Sequence, residues 1–295
     1  MKLRIVCGAL LLLVQSLANA SQVQFPPITD ERANLPGKFI WYDIFTATPQ
    51  SSLKFYQAVF GWQAIAVEAG NIKYYTFYNG DHPVAGLVQR DSVLQSTSKA
   101  LWLPSISAAS TQKAEKMITA SGGKVLMESR DLLGRGEALI ARDPSGALFA
   151  TLQTNGKDPE DFQAEAGDWI WQQLYSHQPT KATAFYQTLF NYNTFEHTLQ
   201  NKEGVEHYIL ASQSHARGAI RAMPEAFSQT AKSQWVPFVQ VESVAQTLDI
   251  AIENGATIVM APDSDVLDGQ LAVLSDPNGA VIGVMTWEYT PQEAK

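Results

Sequence analysis

The sequence predicts an α+β protein of two tandem modules, each holding two βαβββ units. Three observations carry this. Phe55-Tyr56 recurs as Phe185-Tyr186, a shift of 130 residues. "WLP" at 102 recurs as "WVP" at 235, a shift of 133. "DPSGA" at 143 recurs as "DPNGA" at 276, again 133. The order is kept and the shift barely changes, so a whole module has been duplicated. The modules span 38–154 and 167–288, joined by a polar, acidic linker at 155–166.

The elements follow in order. "KFIWYDIFT" alternates and is rich in β-formers, which predicts a strand. "PQSSLKFYQAVF" carries Leu53, Tyr56, Val59 and Phe60 at helical spacing, with Pro49 in the first turn and Thr48 placed to cap. "IKYYTFYNG" and "PVAGLVQ" read as strands around a turn at Asn79-Gly80-Asp81. "LWLPSIS" is a strand, and "STQKAEKMITAS" a helix closed by Gly122-Gly123. "KVLME", "GEALIARD" and "ALFATLQ" complete the module as strands. The pattern is βαβββ twice per module, four times per chain.

Outside the modules, residues 1–20 read as a signal peptide. "MKLR" is a basic start, "IVCGALLLLVQSL" an apolar stretch too short to span a bilayer, and Ala18 and Ala20 frame a cleavage site before Ser21. An N-terminal segment, 21–37, and a tail, 289–295, flank the modules. The expectation is a periplasmic or secreted protein, with no membrane association after cleavage. Cys7 leaves with the signal, so the mature chain has no thiol for a disulfide, a nucleophile or a metal site. The 295 residues are 45% hydrophobic and 17% charged, as in soluble globular proteins, and the net charge of −8 gives no case for nucleic acid as a partner.

The order of elements, with "FYQAVFGW", "WLP", "GRGEALIARDPSGALF" and the returning "DPNGAV", resembles the vicinal oxygen chelate superfamily. That is the family of glyoxalase I, fosfomycin and bleomycin resistance proteins and extradiol dioxygenases. The likeness covers nearly the whole mature chain and is nearest to the tandem glyoxalase-like, bleomycin-resistance-like branch. It implies that each module folds as a cupped mixed sheet with helices on the outer face, an internal pseudo-dimer. It also implies a cavity per module, but not a reaction, since the fold hosts many functions.

In metal-using members, a first-strand ligand lies fourteen residues before the Phe of the "FY" pair. Here those places hold Trp41 and Trp171. A last-strand Glu follows the Gly of "DPxG" by four, and here Ala150 and Gly283 stand there. The remaining ligand falls near Leu103 and Val236. None of these side chains binds a divalent cation, so the expectation is no metal and no cofactor.

Alternation puts Trp41, Asp43 and Phe45 on one face of the first strand, and Trp171, Gln173 and Tyr175 on the matching face of the second module. The tryptophans form either an aromatic floor for a planar ligand or plain core. Asp43 is either a general base or ligand anchor, or a structural carboxylate bonded to a neighbouring strand or to Arg142. His207, at the place of Tyr74, is either a cavity-wall residue or an ordinary strand histidine. Arg135 of "GRG" reads as a solvated loop residue more than as a substrate clamp, and "DPSG", "DPNG", "NGD" and "LDG" read as turns. Three functions fit these residues. One is a non-catalytic binder of a small, partly aromatic molecule in a metal-free cavity. Another is a lyase, isomerase or oxygenase with an unorthodox site. The third is a scaffold whose cavities are filled.

Overall fold

In the computed structural model, the described residues are 34–69, 72–90, 100–132, 134–196 and 206–288. The expected signal peptide, most of the segment 21–37 and the tail 289–295 lie outside them.

The first module runs β1 (Phe39–Thr46), α1 (Pro49–Phe60), β2 (Gln63–Ala69), β3 (Ile72–Asn79), β4 (His82–Gln89), β5 (Leu101–Ser107), α2 (Thr111–Ala120), β6 (Lys124–Leu132), β7 (Gly136–Arg142) and β8 (Leu148–Thr154). The second repeats the order: β9 (Trp169–Ser176), α3 (Pro179–Phe190), β10 (Asn193–Glu196), β11 (His207–Ser212), β12 (His215–Ala222), β13 (Gln234–Gln240), α4 (Val244–Glu253), β14 (Thr257–Met260), β15 (Leu271–Ser275) and β16 (Val281–Met285). Each module forms one eight-stranded mixed sheet, ordered β2-β3-β4-β1-β5-β8-β7-β6 and β10-β11-β12-β9-β13-β16-β15-β14. β1 sits mid-sheet, parallel to β4 and antiparallel to β5.

Local chemistry sets the helix ends. Pro49 and Pro179 open α1 and α3, where a missing N–H costs nothing. Ser110 and Ser243 cap α2 and α4 by accepting from Lys113 N and Gln246 N. Thr48 stands at the cap of α1 but does not cap it. Its hydroxyl donates instead to Asn278 Oδ1 of the second module at 2.5 Å. A tertiary partner displaces the local one.

The outer faces of the two sheets, with their helices, pack against each other. One core joins Ile44, Phe55, Tyr56 and Phe77 of the first module to Val239, Leu248, Leu274 and Ile282 of the second. The other joins Ile106, Ile118 and Phe149 to Leu174, Phe185 and Tyr186. Each core therefore takes one half from each module, with α1 against α4 and α2 against α3.

The duplicated motif serves this junction. Trp62, closing "FYQAVFGW", donates its indole N–H to Gly167 O at 2.8 Å, just ahead of β9. Tyr192, at the same place in the second copy, donates its hydroxyl to Gly37 O, just ahead of β1. Each module's first helix hairpin thus anchors the entry to the other's central strand. Among the described residues no helix is long and apolar enough to cross a membrane.

Candidate ligand site

The concave face of the first module carries the most chemistry. β1 projects Trp41, Asp43 and Phe45 onto it. The Trp41 indole N–H donates to Asp43 Oδ1 at 3.0 Å. From β3, the Tyr74 hydroxyl donates to the same oxygen at 3.1 Å. Arg135 reaches in from the β6–β7 hairpin, with Nη1 3.5 Å from Asp43 Oδ2. It also donates from Nη2 to the Tyr74 hydroxyl, and its guanidinium lies 4.1 Å from the centre of the Trp41 ring. That stacking contributes roughly 1–2 kcal/mol in a desolvated setting.

Two glycines make this assembly possible. At Gly86, opposite Asp43 on β4, an added Cβ would lie 2.0 Å from both Asp43 Oδ1 and the Tyr74 hydroxyl. Gly136 has φ +121, and a Cβ there would meet Gln153 O at 2.0 Å. The hairpin takes this backbone course only with glycine, and the course carries Arg135 inward.

The electrostatics are nearly closed. Burial pushes the Tyr74 phenol far above its ordinary range, Arg135 opposes this and Asp43 adds to it. Tyr74 therefore stays protonated and serves as a donor. Asp43 Oδ1 is held by two donors, and the Asp43 side chain keeps 15% of its surface open. The arrangement presents one oriented carboxylate edge, backed by a buried indole that Arg135 covers. Phe45 continues the wall against Leu103, Met127, Ile140 and Ala150.

The second module has diverged. Gln173 replaces Asp43, is buried, and makes a long 3.5 Å bond from Nε2 to Leu174 O. Ala219 faces it where Gly86 faces Asp43. In the aligned hairpin, "DGQLAVLSD" against "RGEALIARD", Asp268 takes the place of Arg135 and is exposed. Tyr175, Val236, Phe238, Val273 and Met285 fill the concave face, with Trp171 packed at their edge. Burial raises the Tyr175 phenol to about 12, against the pull of Arg221, whose guanidinium lies 5.8 Å from its ring centre. His207 is buried on β11, paired in register with Arg221.

Of the residues singled out in sequence, Trp41 and Asp43 meet, and Phe45 joins the adjoining wall. Trp171, Gln173, Tyr175 and His207 form a separate, mostly filled face. Two sequence expectations are corrected. Arg135 is not a solvated hairpin residue; it is only 4% exposed. Arg142 is not the partner of Asp43, because it donates to Gly146 O at 2.8 Å. Tyr74 is not among the sequence candidates, and Arg135, read there as a solvated residue more than as a clamp, is the second side chain that completes the cluster. The paired glycines around Arg135, and the alternation that puts Tyr74 on the concave face, were the available signals.

The superfamily's metal positions do not fit a cation here. Trp41, Trp171, Ala150, Gly283, Leu103 and Val236 offer no acceptor atom. A Cβ on Gly283 would sit 2.2 Å from the Phe238 ring, so that ring occupies the space a ligating side chain would need. Among the described residues there is no group of three or more His, Cys, Asp or Glu able to hold an ion.

Comparisons place the chain among known proteins. Residues 38–151 match the model of the Glyoxalase/Bleomycin resistance protein/Dioxygenase superfamily. A glyoxylase-named protein of Mycobacterium tuberculosis is 23% identical over 248 residues, 83% of this chain and 93% of that protein. The anthracycline biosynthesis protein DnrV of Streptomyces peucetius is 24% identical over 268 residues, 85% and 93% of the two chains. Among solved structures, the Mn(II)-bound glyoxalase from Novosphingobium aromaticivorans superposes with a TM-score of 0.59 at 16% identity, covering 86% of this chain and 83% of that one. The 2,3-dioxygenase LapB from a Pseudomonas strain gives 0.59 at 17% identity, covering 88% and 95%. The first module thus matches the Glyoxalase/Bleomycin resistance protein/Dioxygenase superfamily model over residues 38–151, and the chain as a whole shares the two-module fold of these solved structures.

Proposed function

We propose that this protein is exported and binds a small, partly aromatic molecule in the cup of its first module, without a divalent metal. One observation carries the reading. Asp43 is fixed by Trp41, Tyr74 and Arg135, yet keeps an accessible edge. A ligand ring packs against the half-buried Phe45 side of the cup, and a ligand N–H or O–H donates to the carboxylate. The positions where the superfamily's metal enzymes hold their ion carry indole, methyl and hydrogen here, which supports a metal-free site. Export rests on residues 1–20. An intact mass beginning at Ser21, from periplasmic material, supports it; retention of the signal mass contradicts it.

A second reading is an enzyme of the lyase, isomerase or oxygenase type. The Asp43–Tyr74 bond at 3.1 Å favours it, because it sets a carboxylate beside a protonated phenol. Melting curves against a panel of flat aromatic compounds, on wild type and Asp43→Asn, test the binding reading. We expect some compounds to raise the wild-type melting temperature and to lose at least tenfold in affinity with the variant. Mass spectrometry of those mixtures decides between the readings. Unchanged ligand supports binding, and product formation that Asp43→Asn abolishes supports the enzyme.

A further inference from the structure

We infer that the module junction holds a second small-molecule site, suited to a flat, cationic aromatic molecule with an N–H donor. A cavity of about 820 Å³ opens where the entry ends of β1 and β9 meet under the linker. That is within the ~300–1,000 Å³ range of ligand pockets. Its walls are 38–42 with 168–172, and 82–84 with 215–217, while 159–163 and Glu165 of the linker cross it. The wall segments are the same segments of the two repeats, so the cavity lies on the internal pseudo-twofold axis. Neither module has it alone; Trp41 and Trp171, at the edges of the two concave faces, border it, but Asp43 does not line it.

The pseudo-symmetry breaks where recognition would need it to. Tyr42 of the first module is matched by Gln172 in the second. Gln172 lines the cavity, is 3% exposed, and its Oε1 has no hydrogen-bond partner among the described residues. A buried amide oxygen left unpaired is costly, and a turn of the Gln172 amide toward the cavity lets a ligand donor relieve that cost. Nearby, Trp169 and Trp171 are half-buried and offer aromatic surface. Phe162 of the linker is 64% exposed at the rim, beside the ring of His82.

Charge selects the sign of the ligand. The lining contains two cations, Lys38 and Arg217, against four carboxylates, Glu160, Asp161, Glu165 and Asp168. Both cations are held by Asp161, at 2.9 Å from Lys38 and 2.5 Å from Arg217. Asp168 accepts from Asn79 and pairs with His82, each at 2.8 Å. The residual field of the cavity is therefore negative, which draws in a cation and disfavours an anion.

The test uses proflavine, a planar diaminoacridine cation, titrated by fluorescence into the mature chain. Saturable one-to-one binding is expected. Gln172→Met keeps the side-chain length and removes the acceptor, and should weaken binding at least tenfold. Ala216→Trp fills the cavity from an exposed strand position and should abolish binding in a protein whose melting curve shows it folded. Acridine at pH 8 lacks both the charge and the N–H donors, and should bind more weakly to wild type than proflavine does. The inference is overturned if proflavine does not saturate the wild type, or if it binds folded Ala216→Trp as tightly. It also fails if Asp43→Asn loses the dye while Gln172→Met retains it, because the dye then occupies the cup.

Discussion

The Tyr56 hydroxyl donates to Asp276 Oδ2 at 3.1 Å, tying the first helix of one module to the DPNG turn of the other inside the core. Trp102 of "WLP" donates to the same Tyr56 oxygen at 3.0 Å. Asp276 Oδ1 meanwhile accepts from Asn278 N and Ala280 N of its own turn. The three motifs that betray the duplication are thus one structural device. In the mirrored copy, Trp235 donates to Tyr186 at 2.8 Å and Tyr186 faces Asp143. There the Tyr186–Asp143 contact is looser, with Asp143 Oδ2 outside good hydrogen-bond geometry to any partner among the described residues. Tyr56→Phe should therefore cost about 1–3 kcal/mol, because it strands a buried carboxylate oxygen and an indole N–H. Tyr186→Phe should cost less. Urea unfolding of the two variants checks the order, and equal losses would show that both latches are equally made.

Trp41 is 3% exposed and covered on one face by Arg135, whereas Trp171 is half-buried. Trp41→Ala should destabilise by about 3–5 kcal/mol, as core truncations do. Trp171→Ala should cost only about 1–2 kcal/mol, in proportion to the smaller area withdrawn from water. Denaturant midpoints of both variants decide this; a milder loss at Trp41 would mean that the indole is not part of the core.

How much of this was legible in the sequence varies by element. The repeat is carried by bulky, spaced residues such as Trp102, Tyr56 and Asp276, and these can be read directly. β2 was not identified from its residues, because "QAIAVEA" is an edge strand with mostly exposed side chains and little alternation to detect. Thr48 looked like a cap, but Asn278 of the other module claims its hydroxyl. Arg135 gave no periodic signal: it is one hairpin residue, and its partner Tyr74 lies 61 positions earlier. Long-range polar partnerships of this kind leave no local pattern.

Gly86→Ala tests the close approach that seats Asp43. The new methyl would fall 2.0 Å from Asp43 Oδ1 and from the Tyr74 hydroxyl, so one of them must move. A loss of about 1–3 kcal/mol is expected, as for overpacking, together with weakened ligand binding in the first module. Wild-type stability in this variant would mean that the cluster is looser than described.

Asp161 gives the pH dependence. Burial would raise its carboxyl, but hydrogen bonds from Arg217 and Lys38 outweigh burial and hold it at about 2. The folded value lies below the ordinary 3.8, so the stabilisation is complete above the unfolded value and is lost as pH falls toward 2. With partial exposure discounted, it amounts to about 1–2 kcal/mol. Wild type should lose more stability between pH 6 and pH 3 than Asp161→Asn does. Parallel losses in urea titrations would remove Asp161 from the acid limb.

Metal-free binding in the first cup stands or falls on one titration. Chelator-treated wild-type protein is titrated by calorimetry with the aromatic compound that most raises its melting temperature. The titration is then repeated after adding Mn(II), Zn(II) or Fe(II). We expect saturable binding to the stripped protein, the same affinity within about twofold with each metal, and loss of binding in Asp43→Asn. Binding that appears only when one of the metals is restored would contradict it.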